Sequence, residues 1–131
     1  MFTPEEQKVA QRFANKIWKQ ALLKTKAVIP AEQHGVIAGC FLRDGAGNRC
    51  FIGACIPNSR YKLELEQVSD NFNAPSMKKA LGLNNIPSVL SAFLCEAQYV
   101  HDEYETGRWE SRLAVLYEKY GLSVPKQLAK V

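Results

Sequence analysis

The chain has 131 residues, 47% of them hydrophobic and 23% charged. That is the size and balance of one globular domain, here spanning residues 1–131, with a core that needs no covalent staples. No apolar run approaches the roughly 18 residues of a membrane span. The charged, amphipathic start MFTPEEQKVAQRF lacks the apolar centre of a secretory signal. A cytoplasmic location is therefore expected, with Cys40, Cys50, Cys55 and Cys95 mostly reduced and buried. The net charge of +4 is unevenly placed. Residues 1–30 hold six basic and two acidic side chains, and the rest of the chain holds eleven of each.

A first helix is predicted to start at Thr3. Thr3 suits the N-cap, Pro4 suits the first helical position, and Glu6 stands where a capping box needs it. At 100° per residue, Val9, Ala10, Phe13, Ala14, Ile17 and Ala21 form an apolar stripe, with Trp18 at its margin. Lys8, Arg12, Lys16 and Lys19 share an arc of about 80° on another side. The helix is expected to end near Thr25.

Gly35–Ile56 reads as a β-hairpin: two apolar runs, GVIAGCFLRD and RCFIGACI, around the turn residues Gly45-Ala46-Gly47-Asn48. Both faces are largely apolar, so helices should cover it. Gly39, Gly53 and Ala54 are small enough for a helix to approach closely. Leu63–Val68 reads equally as a short third strand or a helix. Ser76–Leu81 reads as a short helix closed by Gly82. The strongest core helix begins at Pro87-Ser88 and carries Leu90, Phe93, Leu94, Ala97 and Val100, with Gly107 as its stop. A fourth helix follows to Gly121, and the short link between the two implies an antiparallel pair. The expected fold is thus α+β: an antiparallel hairpin, with or without a third short strand, packed against three main helices. Its core should include Phe13, Ile17, Ile37, Phe41, Ile52, Leu90, Phe93, Leu94, Leu113 and Leu116.

Candidate chemistry is sparse. His101-Asp102 resembles a carboxylate-oriented imidazole, but adjacent helical residues point about 100° apart. A polar helix end accounts for the pair. The hairpin reading brings His34 near Cys55 at its open end, which makes them the candidate base and nucleophile of a small hydrolase or transferase. A buried, inert Cys55 is the plainer account. No metal-ligand spacing and no phosphate-binding glycine loop is present, so no cofactor or metal is expected.

Four stretches, in this order, resemble a family of small bacterial and phage domains of unknown function. They are Gly35-Val36-Ile37-Ala38-Gly39, Asp44-Gly45-Ala46-Gly47, Cys50-Phe51-Ile52-Gly53-Ala54-Cys55, and His101-Asp102 followed by Trp109. Where that family's helix would run on from Gly53-Ala54, this chain has Pro57. The resemblance implies a shared compact fold and carries over no catalytic residue.

The residues weigh against an enzyme. They favour a binding protein whose contact surface is Lys8, Arg12, Lys16 and Lys19 and whose target is an acidic protein, although such a basic run is more often only the solvated face of an amphipathic helix. An inhibitor of host defence from a phage or mobile element belongs to that class. Nucleic-acid binding through the same face is the alternative, although no aromatic side chains alternate with the basic ones to stack bases.

Overall fold

The protein is described by a computed structural model that covers residues 2–24, 42, 48–68 and 71–125. Those residues are mostly helical. Five α-helices appear among them: α1 (Pro4–Leu22), α2 (Phe51–Ala54), α3 (Pro75–Leu81), α4 (Ser88–Glu103) and α5 (Trp109–Lys119). Single 3-10 helices occupy Leu63–Gln67 and Thr106–Arg108. None of the described helices is long and apolar enough to cross a membrane.

α1 starts as its sequence dictates. The Thr3 hydroxyl accepts from the Glu6 N–H, and the Glu6 carboxylate accepts from the Thr3 N–H, which closes a capping box. The helix stops earlier than Thr25, at Leu22, because Lys24 takes a left-handed backbone (φ 54°). Its apolar stripe is buried against α2, α4 and α5. α5 runs antiparallel to it. The Tyr117 hydroxyl donates to the Ala14 carbonyl at 2.6 Å. Further along α1, Lys24 pairs with Glu110, while at its start Gln7 donates to the Gly121 carbonyl.

α4 and α5 form the antiparallel pair that the short connection implies. His101 faces Trp109 near the link, and Phe93 faces Tyr117 and Tyr120 at the far end. Lys119 and the Tyr120 hydroxyl both bond the Glu96 carboxylate there. α4 does not run on to Gly107. It ends at Glu103, where Tyr104 turns extended and its carbonyl accepts from the Trp109 indole at 3.1 Å. Gly82 and Gly121 close α3 and α5 with left-handed backbones (φ 77° and 71°), as their positions suggest.

The α+β expectation is overturned. No β-strand or sheet occurs among the described residues. The second half of the expected hairpin is α2 and the turn after it, and the possible third strand is the 3-10 helix Leu63–Gln67. Of the first half, residues 35–41 and 43–47 lie outside the described residues. The physical reason is burial. Phe51, Ile52, Cys55 and Ile56 are all enclosed in the core, and a short run that is apolar on every side has no period to separate strand from helix. Local bonding then decides it: the Cys50 sulfur accepts from the Gly53 N–H at 3.2 Å, in the role of an N-cap.

The expected core residues Phe13, Ile17, Ile52, Leu90, Phe93, Leu94, Leu113 and Leu116 are buried. Ile37 and Phe41 lie outside the described residues. Gly53 is a point of close approach, but inside a helix. A Cβ there would stand 2.0 Å from the Leu42 carbonyl oxygen. Leu42 cannot easily give way, because its carbonyl accepts from Cys50 and its N–H donates to Glu66. Gly53→Ala is therefore expected to cost about 1–3 kcal/mol through overpacking. Urea unfolding of the variant checks this, and an unchanged midpoint would show that Leu42 is free to move.

Candidate functional site

With its apolar stripe facing inward, α1 turns the opposite side to solvent. Lys8, Arg12, Lys16 and Lys19 are all exposed. At 1.5 Å per residue they span about 16 Å of helix. From Lys8 to Leu23 the chain has no acidic residue. None of the four cations forms an ion pair among the described residues. Three other cations are partnered: Lys24 by Glu110 at 2.9 Å, Lys119 by Glu96 at 2.6 Å, and Arg112 by the Tyr104 ring at 4.6 Å. Exposed Lys62 and Lys79, like the α1 cations, form no ion pair among the described residues. The face is thus a run of like charge that no described acidic residue neutralises, and it attracts anions at long range.

A groove of about 710 Å³ lies at the C-terminal end of this face. Lys16, Lys19 and Leu23 of the α1 segment line one wall, and Arg49, Ala54 and Pro57 line the other. Leu23 caps α1 and is 63% exposed. Arg49 is held in place by the Asn58 side chain, which accepts from its guanidinium at 2.9 Å. Reading the chain as a strand through residues 49–56 hid this groove. One signal was available: Leu23 falls at the same helical angle as the lysines, an apolar residue on a polar stripe.

The candidate base and the candidate nucleophile have different fates. His34 lies outside the described residues. Cys55 is enclosed, and its thiol is 3.5 Å from the Phe51 carbonyl and 3.9 Å from the Phe13 carbonyl. Burial pushes its pKa from 9.0 up to about 12, with the Lys16 charge pulling weakly the other way. The hairpin geometry that would have set Cys55 beside His34 is gone, because Cys55 follows a helix.

His101 and Asp102 do meet, contrary to expectation. The imidazole Nδ1 lies 3.0 Å from the Asp102 carboxylate. Both residues stand in the last turn of α4. Gln98 completes the cluster by donating to Asp102 at 3.0 Å and accepting from the Ile52 N–H at 3.2 Å. The ring stacks on Trp109 at 5.1 Å and meets the edge of Phe51 at 5.0 Å. Such a carboxylate-oriented imidazole could move a proton. Here, however, His101, Trp109 and Phe51 are all buried, so the cluster ties α2, α4 and α5 together. Among the described residues, no three His, Cys, Asp or Glu side chains converge to hold a metal.

No family model, no curated protein and no solved structure matches this chain. The functional reading therefore rests on its own residues.

A thiol at about 12 has, at neutral pH, a thiolate fraction about a thousandfold below that of one at 9.0. Native Cys55 is expected to take up iodoacetamide far more slowly than exposed Cys95, and peptide mass spectrometry reads the difference. Because folding raises this pKa, the protonated thiol stabilises the fold below pH 9.0, and that contribution is lost as the pH climbs toward 12. Fast labelling of Cys55 would return it to the list of nucleophiles.

Proposed function

We propose that this is a non-enzymatic binding protein that engages an acidic protein surface through the exposed face of α1. The carrying observation is that Lys8, Arg12, Lys16 and Lys19 stand together, exposed and without counter-ions among the described residues. The face carries a single sign over three turns, while the rest of the chain is neutral overall. Such a surface mainly speeds encounter and selects partners of opposite potential. The buried, protonated Cys55 and the enclosed His101 leave the hydrolase or transferase reading with little support.

An acidic protein suits the face better than nucleic acid does. Single-stranded nucleic acid is held by stacking on rings as well as by phosphate contacts, and among the described residues the α1 face and its groove present no aromatic side chain.

The test is charge reversal, Arg12→Glu with Lys16→Glu. Both positions are exposed, so stability should stay within about 0.5 kcal/mol of the parent. Capture of the partner from a nuclease-treated native lysate at low salt should fall about tenfold or more. Undiminished capture by the variant would remove α1 as the contact surface. Recovery of nucleic acid alone, with affinity dropping steeply as salt rises, would move the face to the other reading.

A further inference from the structure

We propose that the groove at the end of α1 anchors a short acidic segment of the partner protein through one aliphatic side chain. The inference rests on the basic-face reading and adds where on that face the partner is gripped and by what chemistry.

Three observations converge on it. Charge comes first. The groove carries Lys16 and Lys19 on one wall and Arg49 on the other, and its lining among the described residues includes no acidic side chain. A segment lying there meets cations from both sides. Exposed pairs of this kind contribute little each, so charge alone would hold a partner loosely and at no fixed register.

The apolar part of the lining supplies the register. Leu23 is 63% exposed at the mouth of the groove, with Ala54 and Pro57 opposite. A single exposed leucine on a surface needs no explanation. This one continues the helical stripe of the lysines and ends it beside other aliphatic groups. A partner side chain set between Leu23 and Pro57 would leave water on both its faces, while flanking carboxylates reach Lys16, Lys19 and Arg49. Central apolar anchors ringed by polar contacts are where interfaces concentrate their energy.

Size and shape agree. About 710 Å³ is room for a few side chains of a peptide and falls within the usual range of ligand pockets. Ala54 at the end of α2 keeps one wall low, and α2 cannot run on to close it because Pro57 follows. Every non-polar group in the lining among the described residues is aliphatic, which suits a leucine, isoleucine or valine and gives a nucleobase no ring to stack on there.

The experiment is selection of a random displayed-peptide library on the full chain. Peptides are then made synthetically and measured by fluorescence anisotropy against the parent, Lys16→Glu and the uncharged Leu23→Ser. Both substituted side chains are exposed, and circular dichroism confirms the fold of each variant. The proposal expects enriched peptides with Asp or Glu around one invariant aliphatic residue. It expects affinity to fall about tenfold or more in each variant, and Leu23→Ser to have no effect on a peptide whose aliphatic residue is replaced by serine. Acidic peptides with no aliphatic position, lost in Lys16→Glu but kept in Leu23→Ser, would overturn the groove and leave the basic face standing. Peptides indifferent to Lys16→Glu, or no enrichment at all, would overturn both. So would a mixed-sequence single-stranded oligonucleotide that outcompetes the selected peptides.

Discussion

Burial of Ala10, Phe13, Ala14, Ile17 and Ala21 fixes the rotation of α1 about its axis, and most of the surface follows from that. The stripe meets α2, α4 and α5 together. Tyr117 locks the arrangement: its ring lies against Trp18 and Phe93, and its hydroxyl donates to the Ala14 carbonyl. A helix held on three sides cannot turn. Lys8, Arg12, Lys16 and Lys19 are therefore committed to solvent, and their mutual repulsion is accepted because the apolar side gains far more by being buried.

The short helix α2 shows the same logic in reverse. Four residues cannot sustain a helix in water. It persists because Phe51 and Ile52 are buried among larger helices, and because Gly53 lets the Leu42 backbone lie against it. The Ile52 N–H, one of the orphan donors of a helix start, is satisfied by Gln98 of α4. Tertiary contacts thus replace the propensity that the segment lacks. The same contacts place Ala54 and Pro57 opposite Leu23 and so create the groove.

His101 illustrates why a chemically suggestive pair is not a site in itself. Its imidazole is oriented by Asp102 and flanked by Trp109 and Phe51, which is an arrangement with catalytic precedent in kind. What decides its role is enclosure. A ring packed between two aromatic side chains ties α4 to α5 and α2 by stacking, and the polar contacts around it link α4 to α2 through Gln98.

The amino-acid pattern by itself determined α1, α3, α4 and α5. Their amphipathic periods, the Thr3-Pro4-Glu6 start and the Gly82 and Gly121 ends are local signals, carried by residues within a few positions of each other. It also determined the basic stripe, since side-chain angles on a helix follow from spacing alone. Only the tertiary structure decided residues 50–56. Apolar on every side, they are compatible with strand or helix, and the choice fell to partners distant in the chain: Phe13 beside Cys55, Gln98 on the Ile52 N–H, and His101 and Trp109 around Phe51. The groove was illegible for the same reason. Its two walls lie about thirty residues apart in sequence, from Leu23 to Ala54, and no local periodicity reports on a contact formed across that separation.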